Sequence, residues 1–306
     1  MRREARGKLA VLLVGFGGPD CLEDVEPFVQ KVTGTTLPPE RLAAAVDKYR
    51  KIGGSSPFLA ISEEQARRLQ EALRTRGLDA GVYLGMRYWC PYIADVARRL
   101  VAGQPDRVVI MALTPYFSQR STGEYLAEAQ IALSEAGNKA PVIKVESWYA
   151  EPSLISGFAA GLQTELKACE GDEPAVLFMA HSLPKSLEDN GDPYEHQVKE
   201  TVGLTAAAAG VSDWRLAWQS EGRSGGEWLK PTAGEALIEI KAAGYKTVLI
   251  APIGFVADNV ETLYDIDVEM KKTATKIDLR FRRVDCLNAG PEAIEAMASA
   301  LTRALA

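Results

Sequence analysis

His181 closes the apolar run Ala175-Val176-Leu177-Phe178-Met179-Ala180, and the acidic stretch Asp258 to Glu269 lies beyond a second run, Val248-Leu249-Ile250-Ala251-Pro252. Both runs have the length and composition of buried strands. In open α/β sheets, ligands bind outside the carboxyl ends of parallel strands, so these two sets of polar residues are expected at one cleft. An imidazole would then meet a line of carboxylates, groups suited to taking up protons or holding a hard divalent cation.

The chain has two histidines, so imidazole chemistry near neutral pH falls to His181 or His196. His196, in Gly191-Asp192-Pro193-Tyr194-Glu195-His196, belongs to a turn and the start of a polar helix and reads as an exposed side chain. His181 ends a strand and is followed by Ser182-Leu183-Pro184, where the proline blocks immediate continuation into a helix. A hydrogen-bonded histidine without chemistry is the plain alternative. Glu261, Asp265 and Glu269 recur at every fourth position. On an α-helix that spacing drifts by about 40° per step and keeps all three on one broad face; a local π-type widening would align them more closely. A solvated acidic face is the usual fate of such a stripe, but no regular run of Lys or Arg accompanies this one. Phe16, Tyr88, Trp89, Tyr116, Phe117, Trp148, Tyr149 and Trp228 fall near strand ends. Singly each reads as a core or hinge residue; together they suggest walls for a large, flat, apolar ligand.

The frame that positions these groups is legible as alternation. Strand candidates at 9–14, 80–84, 107–113 and 142–146 are separated by helical stretches such as 63–73 and 93–100, and the rhythm repeats with strands at 175–180, 215–219, 247–252 and 279–284 and a helix at 235–243. The pattern predicts an α/β protein of two Rossmann-like domains, residues 1–150 and 151–306, each a four-stranded parallel sheet flanked by helices, with the active-site cleft between them. Residues 292–305 form an Ala-rich terminal helix able to pack on either domain.

With 306 residues, 47% of them hydrophobic, the chain is near the size at which one core divides into two. The net charge of -6 argues against a nucleic-acid-binding face, which needs clustered Lys and Arg. The basic stretch Arg2-Arg3-Glu4-Ala5-Arg6-Gly7-Lys8 reads as a solvated tail; with the following apolar run it looks like a signal peptide, but no small-residue cleavage pattern follows. No run approaches the ~20 apolar residues needed to span a bilayer. Cys21, Cys90, Cys169 and Cys286 lie far apart without a Cys-x-x-Cys pair, which signals neither a zinc clamp nor a disulfide framework and fits a cytoplasmic protein. Gly15-Phe16-Gly17-Gly18-Pro19-Asp20 invites a dinucleotide reading and fails it, because Asp20 stands where the third glycine is needed and Pro19 interrupts the turn. A tight turn on a cleft floor is expected instead.

Taken in order along nearly the whole chain, Gly17-Gly18-Pro19, Ile52-Gly53-Gly54-Ser55-Ser56-Pro57, Gly85-Met86-Arg87-Tyr88, Glu146-Ser147-Trp148-Tyr149, Ala180-His181-Ser182-Leu183-Pro184, Gly191-Asp192-Pro193-Tyr194, Trp218-Gln219-Ser220-Glu221-Gly222 and Gly254-Phe255-Val256-Ala257-Asp258 through Glu269 resemble the ferrochelatases. These enzymes insert ferrous iron into a porphyrin at or near the end of haem synthesis. The resemblance implies a porphyrin and Fe²⁺ as substrates, no nicotinamide, no permanently bound cofactor, and action in the cytoplasm, with transient contact to neighbouring haem-pathway enzymes allowed. It implies His181 and Glu261 as the catalytic pair, with Asp265 and Glu269 continuing an acidic route for metal or protons. Phe16, Ser56 and Tyr125 match porphyrin-cleft positions, Lys48 stands where relatives carry a basic residue near the propionates, and Trp228 joins the aromatic walls. The implied mechanism distorts the macrocycle so that pyrrole lone pairs face the metal, while His181 and Glu261 accept the two pyrrole protons or hand over the iron.

Three departures stand out. Asn259 replaces a second histidine of many relatives. Phe16 replaces a tyrosine of the Bacillus-like branch, whose following arginine has no match around Val32-Thr33. The C-terminal cysteine-rich extension that holds a [2Fe-2S] cluster in some relatives is lacking, so no cluster is expected. Trp218 to Gly222 and Glu146 to Tyr149 look more like the coproporphyrin III branch of Gram-positive bacteria, with protoporphyrin IX as the alternative substrate. A cobalt or nickel chelatase of another tetrapyrrole and a non-catalytic haem or metal carrier are the competing functions.

Overall fold

The computed structural model describes residues 8–169, 171–222 and 226–306; the basic tail expected at residues 2–7 lies outside them. The strands are β1 (Leu9–Gly15), β2 (Ala80–Met86), β3 (Arg107–Ala112), β4 (Val142–Val145), β5 (Ala175–His181), β6 (Trp214–Gln219), β7 (Thr247–Ala251) and β8 (Arg280–Arg283). They build two four-stranded sheets, ordered β2-β1-β3-β4 and β6-β5-β7-β8, and every pairing is parallel. Parallel sheets are covered on both faces, so their central strands must be apolar throughout. The sequence obeys this: β7 is buried along its whole length, and β1 and β5 are buried at all but one end residue.

The chain divides into two compact units, Met1–Trp148 with Asn288–Ala306, and Tyr149–Leu287. The break near residue 150 falls where expected, but the terminal helix Pro291–Leu305 does not belong to the second half, as a 151–306 domain required. It packs on the helix Phe58–Thr75 and on β4 of the first unit. Ala293, Ala296, Met297, Ala300 and Leu301 form its buried side, and the small alanines allow close approach. Polar groups of the Phe58–Thr75 helix secure the segment: Gln65 Nε2 donates to the Asn288 carbonyl at 2.7 Å and Arg68 Nη1 to the Ala289 carbonyl at 3.0 Å.

In the second unit, the apolar cluster on one sheet face contains Leu177, Met179 and Ala217 from the strands, Leu237 and Ile240 from the helix Ala233–Ala242, and Ile266 and Met270. The last two belong to a π-helix, Glu261–Met270, in which the Lys271 N–H reaches back to the Ile266 carbonyl. Among the described residues no helix is long and apolar enough to cross a membrane.

Candidate active site

His181 is the last residue of β5, and its backbone is held on several sides. The Ser182 N–H donates to the Gln219 carbonyl at 2.7 Å, extending the β5–β6 ladder by one bond. The Tyr194 hydroxyl donates to the His181 carbonyl at 2.9 Å, and the Ser182 hydroxyl to the Leu229 carbonyl at 3.3 Å. From behind, the Gly254 N–H donates to the Met179 carbonyl at 3.0 Å. A Cβ at Gly254 would fall 2.7 Å from Ala180 Cα, so only glycine permits this approach.

The imidazole itself is oriented by main chain. His181 Nδ1 lies 2.6 Å from the Ser182 carbonyl oxygen. A carbonyl can only accept, so Nδ1 carries the proton and Nε2 presents its lone pair in the neutral ring. Nε2 faces Glu261 Oε1 at 3.7 Å, too long for a direct hydrogen bond. Two electron-pair donors thus face each other, each about a third exposed, an arrangement that favours a proton or cation shared between them.

Glu261 begins the π-helix. Asn259 caps this end: its Oδ1 accepts from the Glu261 N–H at 2.8 Å, and its N–H donates to Thr262 Oγ1 at 3.0 Å. The asparagine that stands in place of a histidine therefore has a structural duty here. Because i→i+5 bonding holds more residues per turn than an α-helix, the four-residue period of Glu261, Asp265 and Glu269 comes nearer to a straight row. Asp265 Oδ2 accepts from the Ser220 hydroxyl at 3.2 Å and Glu269 Oε1 from the Tyr264 hydroxyl at 2.9 Å. Among the described residues no three His, Cys, Asp or Glu side chains converge as a metal-holding group. His181, Glu261, Asp265 and Glu269 therefore do not make a ready coordination sphere.

A different cation serves the acids outside that row. Arg283, at the end of β8, donates through Nε to Asp267 at 2.7 Å and through Nη1 to Asp258 at 3.3 Å. Its side chain is 11% exposed. Burial pushes the Asp267 carboxyl above its usual range despite the opposing pull of Arg283, and burial pushes the nearby Cys286 thiol well up. Arg283 thus tethers the π-helix. The sequence reading missed it, although an arginine ending a strand opposite an acidic helix is a signal that was available.

The first unit gathers aromatic rings at its strand ends. Phe16, just past β1, lies 4.7 Å from the Tyr88 ring and 6.1 Å from Phe28, and Phe28 packs edge-on against Trp89 and Tyr49. Phe28 and Tyr49 were not anticipated. The tight turn expected after β1 is not formed: the Arg87 and Tyr88 N–H groups donate to the Gly15 and Phe16 carbonyls, while Gly17, at φ +98°, and Gly18, whose added Cβ would meet Ser56 Oγ at 2.8 Å, let Ser56 approach the segment past β1. Lys48 sits half-buried on the helix Pro39–Lys51. Tyr125 is buried among the core residues of its sheet, with the Arg87 guanidinium 5.9 Å from its ring. In the second unit, Trp228 is half-buried and pairs with Pro184, and its ring lies so close to Gly222 that a Cβ there would meet it at 2.4 Å. Two of the eight expected wall aromatics are core instead: Tyr116 is buried, and Trp148 is buried with its indole N–H on the Ala112 carbonyl at 3.0 Å. His196 is exposed as expected and faces Glu200 at 3.5 Å.

A model of the ferrochelatase family matches residues 8–305. The chain belongs to the ferrochelatase family. It is 34% identical to a ferrochelatase of Herpetosiphon aurantiacus over 96% of this chain and 98% of that one. It is 32% identical to a coproporphyrin III ferrochelatase of Halalkalibacterium halodurans over 98% of both. Among solved structures it resembles SirB from Bacillus subtilis with Fe³⁺, at a TM-score of 0.62, 10% identity and coverage of 98% and 96%. It also resembles CbiX, described as the terminal enzyme for biosynthesis of sirohaem in denitrifying bacteria, at a TM-score of 0.53, 13% identity and coverage of 98% and 100%. At these identities the two structures attest the fold alone, and they agree with two Rossmann-like units.

Proposed function

We propose that this chain inserts Fe²⁺ into a porphyrin in haem synthesis, acting as a cytoplasmic lyase, with coproporphyrin III the favoured macrocycle and protoporphyrin IX the alternative. The observation that carries the chemistry is the tautomer lock on His181, which turns a bare Nε2 toward the Glu261 carboxylate at 3.7 Å. Metallation replaces two pyrrole N–H protons by one Fe²⁺, so two protons leave for each ion that enters. Nε2 takes one, becoming an imidazolium stabilised by Glu261, and the carboxylate takes or relays the other. The row through Asp265 and Glu269 offers oxygen ligands suited to moving the ion in and protons out. Phe16 and Tyr88 supply apolar surface for the macrocycle, with Ser56, Lys48, Tyr125 and Trp228 as further contacts. The relative named coproporphyrin III ferrochelatase supports that substrate; relatives named simply ferrochelatase keep protoporphyrin IX in play.

The test is anaerobic Fe²⁺ insertion followed by absorbance, with each porphyrin offered separately to wild type and His181→Ala, and Co²⁺ and Ni²⁺ as competing metals. Multiple turnovers lost in the variant support the reading. Stoichiometric porphyrin binding without metallation would replace it with a carrier, and turnover with Co²⁺ or Ni²⁺ alone would replace it with another chelatase. Cell fractionation tests the location.

A further inference from the structure

Gln219 ends β6, directly in register with His181 on β5. Parallel neighbours in register stand about 4.8 Å apart and project to the same face. That face is identified by the residues two and four positions earlier, since Leu177, Met179 and Ala217 pack with Ile266 and Met270 of the π-helix. His181 and Gln219 continue these rows beyond the apolar cluster, beside the acidic row. The residue is 5% exposed, and neither its amide oxygen nor its amide nitrogen has a hydrogen-bond partner among the described residues. Buried amides are almost always bonded, because an unmet donor or acceptor forfeits its hydration with no return. The next residue, Ser220, sits at φ +61°, a costly conformation for a side chain other than glycine, and donates to Asp265. A strained turn therefore holds an unbonded amide next to the site's imidazole.

We propose that the Gln219 side chain is a metal-positioning group, its amide oxygen accepting the divalent cation, directly or through a coordinated water, as the ion passes from the acidic row to His181. The proposal rests on the metal-insertion reading above. A neutral oxygen suits this place: it helps replace the hydration shell of a hard ion without adding a charge that would trap it beside Glu261. The ion, or a water coordinated to it, supplies a partner to the amide oxygen.

The experiment compares wild type, Gln219→Leu and Gln219→Glu by three readouts: thermal midpoint, insertion kinetics with metal and porphyrin varied separately, and anaerobic Co²⁺ titration followed by its visible spectrum. Gln219→Leu removes the unmet polar atoms at nearly constant volume, so its thermal midpoint is expected to equal or exceed that of wild type. Its KM for metal is expected to rise about tenfold or more with porphyrin KM unchanged, and Co²⁺ binding is expected to weaken in parallel. Gln219→Glu keeps an oxygen and is expected to recover Co²⁺ binding while passing the ion on to the porphyrin more slowly. An unchanged metal KM and Co²⁺ titration in a folded Gln219→Leu overturns the assignment, as does a rise in porphyrin KM alone or a large fall in thermal midpoint with normal metal kinetics. If wild type itself fails to turn over, the insertion reading has failed, a result distinct from any of these.

Discussion

The two sheets share one strand order, yet their ends carry opposite chemistry. In the first unit, β1 runs on into Phe16 and Gly17, and the helix after β3, Thr122–Glu135, presents Glu124 and Glu128 to Arg87, which lies just past β2, at 2.9 and 3.6 Å. In the second unit the corresponding strand, β5, ends in His181, and the position just past β6 is Ser220, a neutral donor to Asp265. The arginine has moved to the end of β8, where it binds Asp258 and Asp267 instead. Where the arginine stands decides which carboxylates it neutralises. One framework thus gives one set of loops lined by aromatic rings and an arginine–glutamate cluster, and another that carries the imidazole and the acid row.

The sharpest way to break this contrast is to neutralise one acid from each unit. Glu261→Gln should lower the insertion rate about 10²- to 10⁴-fold, measured by porphyrin metallation at saturating iron, whereas Glu128→Gln, whose carboxyl already faces Arg87, should cost less than about tenfold. Removing the second unit's cation comes next. Arg283→Met leaves Asp258 and Asp267 without their tether and should destabilise the fold by about 3–5 kcal/mol in denaturant titration. Its neighbour Arg282, in a more exposed pair with Glu165, should give less than about 1 kcal/mol when changed to Met.

The glycines behind the two central strands sharpen the comparison further. A methyl group at Gly254 meets backbone, 2.7 Å from Ala180 Cα, so Gly254→Ala should cost about 1–3 kcal/mol and reduce metallation by displacing His181. At Gly15 the nearest atoms are side-chain ends, Leu113 Cδ1 at 2.9 Å and Met86 Sδ at 3.1 Å. These can rotate, so Gly15→Ala should lose less in the same titration.

The smallest effect lies on the solvent-facing side of the helix Phe58–Thr75. Arg67 and then Arg68 hold the Glu64 carboxyl down to about 2. A depressed carboxylate stabilises above its unfolded-state pKa and loses that contribution as pH falls through its folded value. Glu64→Gln should therefore melt slightly lower than wild type near neutral pH, and the two curves should converge as pH drops from about 4.5 to about 2.

The frame was legible because central parallel strands buried on both faces leave uninterrupted apolar runs: 9–14, 175–180 and 247–252 each fall within a residue or two of an observed strand, and the half-buried edge strand at 80–84 was found by its position in the alternation. The two-domain division was legible for the same reason. The terminal helix was not, since a run rich in alanine matches many surfaces, and its partners Gln65 and Arg68 lie more than two hundred positions away. His181 and the acid row stood out through type and spacing, and the widened helix agrees with the four-residue period. Gln219, Arg283 and the capping duty of Asn259 did not stand out, because an amide or arginine has ordinary meaning until burial and partners are known. Tyr116 and Trp148 show the reverse error, in which residues near strand ends were given to a ligand and belong to the core.

The bond from His181 Nδ1 to the Ser182 carbonyl has a consequence for heredity. Histidines that work in proton or metal chemistry are commonly oriented by a neighbouring carboxylate, and a single codon change can erase such a partner. Here the acceptor is a peptide oxygen, present whatever residue is encoded at position 182. No substitution deletes it, so the tautomer on which the proposed reaction depends is protected against point mutation at its own orienting atom and becomes vulnerable only when the loop path changes. Drift in this lineage is thus expected to show itself in the glycines and prolines that steer residues 181–184, before it shows in the chemistry of the ring.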